Sequence, residues 1–216
     1  MDYPKIETLY ERDPITHRVT TELRWPEFDI PKTWLVTEKI DGCNVQVRLR
    51  PDGIVTVGGR SGERSHLPGT LIAYLLATFP QEKVIAAFDP GTEAYLFGEG
   101  YGPGIQRGGR YRPTVSFRLF DVAVIGEKEH VWWLPWVGVE DVARKLGVET
   151  VPIFAFGADL EAAVEFVNVR IASFVALNEN GGAAVEAEGI VARTEPPLFR
   201  RNGQQLVWKL KVRDLP

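Results

Sequence analysis

A chain of 216 residues suits one packed domain, and its 44% hydrophobic and 25% charged residues are ordinary for a folded protein. A formal net charge of −4 argues against a nonspecific nucleic-acid coat protein, which is basic. The single cysteine, Cys43, excludes an internal disulfide. No stretch approaches the roughly 18 apolar residues that span a bilayer, and the N-terminus lacks an apolar signal core, so the expected location is the cytoplasm with no membrane partner.

Residues 1–33 are punctuated by Pro4, Pro14, Pro26 and Pro31 and read as loop with short strands. Residues 34–39 read as a strand ending at Asp41-Gly42. Residues 44–49 alternate polar and apolar, the mark of a half-buried strand, and Pro51-Asp52-Gly53 turns the chain into a returning strand over 54–57. Residues 71–79 carry helical periodicity and stop at Pro80. Strands are expected over 94–99 and 116–124. A helix over 140–146 is closed by Gly147, and one longer helix is expected over 160–177 behind a cap at Asp159. Residues 187–193 and 206–212 read as final strands. Many strands, hairpin connections and few helices favour α+β with largely antiparallel sheets over a doubly wound parallel sheet. No repeat or low-complexity linker interrupts residues 1–216, so one domain is the simplest parse.

Charge is unevenly spread. Arg107, Arg110, Arg112 and Arg118 follow a glycine-rich loop, and Arg193, Arg200, Arg201, Lys209, Lys211 and Arg213 crowd the C-terminal end. These are either solvated loop surface or local phosphate sites within an acidic protein. His17, His66 and His130 form no recognisable ligand set, no structural zinc is expected, and Cys43 reads as a small core residue.

The chemistry-bearing pattern begins at Lys39-Ile40-Asp41-Gly42. A lysine amine attacks an activated phosphorus if it is deprotonated and aimed, and a buried strand end beside cations would lower its pKa. Gly42 would let the backbone approach a ligand closely. Alone, the tetrapeptide reads equally as a β-turn with a surface lysine. Phe97-Gly98-Glu99-Gly100-Tyr101-Gly102-Pro103-Gly104 sets a carboxylate at a strand end before a glycine-rich loop. Phe117-Arg118-Leu119-Phe120-Asp121-Val122 is a strand with two aromatics and an acid, and Glu188-Gly189-Ile190-Val191 sets another acid at a strand start. Lys209 and Lys211 stand at i, i+2, so in a strand they share a face, an arrangement that an anionic ligand such as a triphosphate would stabilise. The structural alternative for that pair is a protected edge strand.

These segments, spanning residues 34–213 in this order, resemble the motifs of the covalent nucleotidyltransferase superfamily of DNA ligases, RNA ligases and mRNA capping enzymes. Asn44 after the lysine motif, the Gly102-Pro103-Gly104-Ile105-Gln106 stretch and Arg60 in a Gly-Gly-Arg-Ser turn are most similar to the RNA ligase 2 type, which includes phage and RNA-editing ligases. Asp41 departs from the part of that group that carries His there, and matches the superfamily at large. The resemblance implies a nucleotidyltransferase (ATP-grasp-like) domain of mostly antiparallel sheets flanked by helices.

The resemblance further implies Lys39 as the nucleophile that takes AMP from ATP, with Lys209 and Lys211 on the α-phosphate as the other catalytic residues. Glu188 would bind Mg²⁺ or Mn²⁺. Glu99 and Arg60 would hold the ribose, and Phe120 would stack on adenine. Phe117 reads as core, and Glu38 would contribute through its backbone. Asn44 would act at the nucleic-acid end or on a second metal. AMP would then pass to a 5′-phosphate of RNA, and a 3′-hydroxyl would displace it, with Arg107, Arg110, Arg112, Arg200 and Arg201 gripping the backbone. Related ligases carry a further domain after this point, so a minimal ligase, or one with an accessory domain or partner, is expected. The alternatives are a DNA nick ligase, a capping guanylyltransferase, which the Gly102-Pro103-Gly104 likeness argues against, and a binding module without catalysis.

Overall fold

The computed structural model describes residues 1–63 and 66–215. Its strands begin with β1 (Glu7–Thr8), β2 (Tyr10–Arg12), β3 (Val19–Leu23), β4 (Trp34–Lys39), β5 (Cys43–Leu49) and β6 (Val55–Gly59). Helices α1 (Gly69–Thr78) and α2 (Gln81–Ile85) follow, then β7 (Glu93–Tyr101), β8 (Ser116–Ile125) and β9 (Val131–Trp133). Helix α3 (Trp136–Leu146), β10 (Glu149–Thr150) and β11 (Ile153–Ala158) lead into α4 (Leu160–Asn168) and α5 (Phe174–Glu179). The last strands are β12 (Gly189–Arg193) and β13 (Val207–Lys211). Among the described strands only β1–β13 and β10–β8 pair in parallel; the class is α+β with mostly antiparallel sheets.

The chain forms two compact units. The first comprises Met1–Tyr3 and Asp41–Val151, the second Pro4–Ile40 and Pro152–Pro216. In the second, the sheet order is β1-β13-β12-β4-β11. Strand residues alternate between faces. Trp34 and Val36 of β4, Ile190 and Ala192 of β12, and Trp208 and Leu210 of β13 therefore share one face with Ala163 and Val167 of α4, and all are buried. Trp208 packs edge-on to Trp34 at 5.6 Å. The opposite face carries Lys39, Thr37, Val191, Lys209 and Lys211. Asp159 caps α4, accepting from the Ala162 amide at 2.8 Å.

The single helix expected over 160–177 is two helices. Arg170 adopts φ +51°, a left-handed conformation that a continuing helix does not tolerate. Ser173 then starts α5 as its cap, accepting from the Ala176 amide. Apolar periodicity runs across the break and hides it. The expected strands and the helix over 71–79 are present with shifted ends, and α3 starts earlier than residue 140. Edge strand β11 escaped the pattern because its pairing with β4 slips twice and Phe156 faces solvent.

In the first unit the sheet runs β10-β8-β7-β5-β6, with β9 added beside β8. Ala94, Leu96, Gly98 and Gly100 of β7 share a face over which Leu71 of α1 packs. A Cβ on Gly98 would lie 2.1 Å from the Phe117 ring, so glycine is required there for that ring to lie against the sheet. Opposite Phe97 and Gly98 the register of β8 jumps from Asp121 to Leu119, leaving Phe120 in a bulge.

Trp208 anchors the strand whose other face carries the two lysines. Trp208→Ala is expected to destabilise the fold by about 3–5 kcal/mol, read as a lower urea midpoint of unfolding.

Candidate active site

The register of three strands assembles the lysine cluster. Lys39 of β4 pairs with Gly189 of β12, and Gly189 pairs with Lys211 of β13; Thr37, Val191 and Lys209 form the next such row. Residues in one row point to one face, so all three lysines emerge together. Gly189 has φ +156°, and a Cβ there would lie 2.1 Å from the Leu210 carbonyl oxygen, so glycine is required for β12 to lie this close to β13.

Glu188, the residue before it, reaches into this row. Its Oε2 accepts from Lys39 Nζ at 2.6 Å and its Oε1 from Lys211 Nζ at 2.5 Å. All three side chains are between 11% and 19% exposed, so the pairs are shielded from water. Burial raises the Glu188 pKa, but the Lys39 and Lys211 charges and their hydrogen bonds outweigh it, and it lies below the ordinary carboxyl range.

Lys209 makes no ion pair among the described residues, and the Glu7 charge only partly offsets its neighbours. Burial, followed by repulsion from Lys39 and Lys211, lowers its pKa to about 8. Three cations against one carboxylate is a site with unspent positive charge, suited to a phosphate. Among the described residues no group of three or more His, Cys, Asp or Glu converges to hold a metal unaided. Glu188, whose two oxygens accept from the lysines, is the carboxylate here that would bear on a divalent ion, a hard cation that takes carboxylate and phosphate oxygens.

Glu38 faces the core side of β4. Its carboxylate accepts from Ser173 Oγ and from the Phe174 and Val175 amides at 2.9 and 3.2 Å, holding the start of α5 to the sheet. Its amide donates to the Pro152 carbonyl at 2.8 Å. The Glu38 carboxylate is therefore structural.

In the first unit, Glu99 Oε1 accepts from the Gly42 amide at 3.1 Å, and Tyr111 Oη from the Asp41 amide at 3.1 Å. A Cβ on Gly42 would stand 2.2 Å from the Gly100 carbonyl oxygen. Gly42 thus permits close approach to β7, a strand rather than the ligand expected from sequence. Asn44 pairs with Glu99 across β5 and β7, and its buried Oδ1 has no hydrogen-bond partner among the described residues. Asn44 and Glu188 belong to different units.

Sequence reasoning missed Tyr3. Its hydroxyl donates to Asp121 at 3.0 Å, its carbonyl accepts from Arg60 Nε at 2.9 Å, and its ring meets Phe120 at 5.2 Å. It therefore ties Arg60 and the bulged Phe120 together. No local pattern marks it, since its partners lie far along the chain. Phe117 is core, edge-on to Phe79 at 5.3 Å.

Several cations that the sequence leaves open as loop surface or phosphate sites are committed elsewhere. Arg118 is buried and donates to the Tyr101 hydroxyl and the Thr150 carbonyl. Arg193 is buried. Arg200 lies 4.0 Å over the Trp25 ring and pairs with Glu27, while Arg110 and Arg112 bond Tyr111 and Ser116. Arg107 and Arg201 are exposed.

The Lys209 shift carries a pH signature. Below pH 8 folded and unfolded chains are both protonated, and the fold bears the cost of the charge. Between about 8 and 10.5 the unfolded chain binds more protons, so stability rises with pH. Lys209→Met is expected to stabilise the protein at pH 7 by about 1 kcal/mol, since water screens the partly exposed ammonium. That gain should fade as pH climbs from 8 to 10.5, measured as Tm against pH.

A model of the RNA ligase family matches residues 32–211. No curated protein sequence matches the chain. Among solved structures, a mutant Naegleria gruberi RNA ligase with ATP and Mn is 21% identical, with a TM-score of 0.63 over 96% of this chain and 58% of that one. The same ligase with PPi is 22% identical, with a TM-score of 0.62 over 97% of this chain and 61% of that one. A further mutant, with AMP and Mn, is 22% identical, with a TM-score of 0.63 over 96% and 59% of the two chains. The chain thus spans less than two-thirds of the Naegleria protein, and at this identity the likeness shows a shared fold. The family match covers most of the chain and includes Lys39, Glu99, Glu188, Lys209 and Lys211: this protein belongs to the RNA ligase family.

Proposed function

We propose that the protein is an ATP-dependent RNA ligase that carries AMP on Lys39. The observation that carries the reading is Glu188 shared between Lys39 and Lys211, with Lys209 on the same face. Family membership and the Naegleria structures with ATP, AMP and Mn support it.

Lys39 Nζ attacks the α-phosphorus of ATP, the N–P bond forms, and diphosphate leaves. In the resting protein the Glu188 pair holds Lys39 as an ammonium at a fixed position. Losing that proton frees the lone pair for attack. Lys209 and Lys211 neutralise the negative charge on the α-phosphate, and their partial burial strengthens both interactions. A divalent ion on Glu188 would supply further charge neutralisation at the phosphates. Arg60, Glu99 and Phe120 hold the nucleoside in this reading, with Tyr3 fixing Arg60 and Phe120 beneath it. AMP then passes to the 5′-phosphate of an RNA end, a 3′-hydroxyl displaces it, and Asn44 acts at that end. The protein works in the cytoplasm.

Incubation with α-³²P-ATP and Mg²⁺, followed by a denaturing gel, tests this. Wild type is expected to retain label and Lys39→Ala none, with Lys211→Ala slowed on the order of 10²–10³-fold. Labelled enzyme chased onto nicked RNA and nicked DNA should seal RNA preferentially. Absence of label with ATP would remove the enzyme reading.

A further inference from the structure

The glycine-rich loop that follows β7 is folded on itself. The Ile105 amide donates to the Gly102 carbonyl at 3.1 Å, the Gly108 amide to Ile105 at 2.7 Å, and the Tyr111 amide to Gly108 at 3.0 Å. Ile105 and Gly108 are buried, and the turns end at Tyr111, which is 0% exposed. The Tyr111 ring lies edge-on to Tyr101 at 6.1 Å, with the Arg110 guanidinium 5.0 Å over it. A buried phenol needs a partner for its polar end. The Tyr111 oxygen accepts from Arg110 Nη2 at 2.9 Å and from the Asp41 amide at 3.1 Å.

Asp41 stands at a crossing point of the chain. Strand β4 ends at Lys39, which pairs with Gly189 of β12. After Ile40 the chain leaves the second unit, and Asp41 is the first residue of the long segment of the first. Asp41 and Gly42 belong to no strand, so their amides have no ladder partner. Side chains serve both amides: Tyr111 Oη takes Asp41, and Glu99 Oε1 takes Gly42 at 3.1 Å. The two acceptors differ in reach. Glu99 also holds the ribose in the reading above, whereas Tyr111 is sealed from solvent and closed to any ligand.

We propose that Tyr111 is a positioning residue for adenylylation of Lys39, delivered by the glycine-rich loop to fix the backbone two residues past the nucleophile. The inference rests on the lysyl-AMP reading above. Attack requires the reacting atoms to be close and aligned, and a displacement of about 1 Å costs on the order of 10²-fold. Lys39 Nζ sits on a flexible four-carbon stem, so its aim depends on how the backbone on both sides is held. Pairing with β12 holds the strand before it. Tyr111 and Glu99 hold the turn after it, and Arg110 fixes the phenol oxygen that does so.

Tyr111→Phe tests this, because it keeps the ring packing and removes only the hydroxyl. Tyr101→Phe is the matched control. Tyr101 is equally buried and its hydroxyl also accepts from an arginine, Arg118 Nε at 3.1 Å, so the control loses a buried hydrogen bond of the same kind at a different hydroxyl. Single-turnover formation of labelled lysyl-AMP is followed against ATP concentration. In Tyr111→Phe the saturating rate is expected to fall about 10-fold or more, with half-saturating ATP within about 2-fold of wild type. In Tyr101→Phe both should stay within about 2-fold. Amide hydrogen exchange, which needs no turnover, should show the Asp41 amide losing protection in Tyr111→Phe and keeping it in Tyr101→Phe. An unchanged rate in Tyr111→Phe, an equal fall in Tyr101→Phe, or a loss of ATP affinity in place of rate would each overturn the assignment while leaving the lysyl-AMP reading intact. No label from wild type, with Asp41 protection still lost in Tyr111→Phe, would instead sink that reading and leave Tyr111 a structural tether.

Discussion

One partly buried carboxylate holds two ammonium groups that stand two strands apart. Glu188 takes Lys39 on one oxygen and Lys211 on the other, and with Lys209 beside them the face carries more positive charge than its acid can balance. Removing one partner of such a pair strands a charge in a poorly solvated place, which is far costlier than losing a surface ion pair. The arrangement persists because the strands beneath it are fixed by packing on their other face, where Trp34 and Trp208 lock β4 and β13. The site is positioned by the core rather than by its own charges.

Close approach of backbones is the second constraint. Gly189 lets β12 approach β13, Gly42 lets the turn after β4 approach Gly100, and Gly98 makes room for the Phe117 ring. At each place a side chain would overlap atoms that cannot retreat. A one-residue slip in any of these strands would turn its side chains to the opposite face, so these contacts and the hydrophobic pattern jointly hold the lysines on one face.

An acidic protein can still offer a strongly basic surface locally. The net charge of −4 is an average over 216 residues, whereas a cleft beside β1 brings six cations together. Cations elsewhere serve the fold: Arg118 ties β8 to β10, and Arg200 lies over Trp25. Counting basic residues along the sequence therefore misjudges where phosphate would bind, because a guanidinium already bonded to carbonyls has little left to offer.

What the sequence alone determined was local. Strand β4 and its terminal lysine, the i, i+2 spacing of Lys209 and Lys211, the acid before Gly189 and the cap at Asp159 were all legible, because alternation and turn chemistry depend only on near neighbours. Motif order was enough to point to the family. The break between α4 and α5 was not legible, since the apolar period continues through Arg170 and the start of α5 is held by Glu38, which lies 135 residues from Ser173. Edge strand β11 was invisible for want of alternation. Tyr3 and the basic cleft at β1 depend on pairing between the two ends of the chain, as when Glu7 meets Trp208. Only the tertiary structure decided which lysine stands unneutralised and which arginines are already taken, because charge balance is set by neighbours in space, and a sequence does not name them.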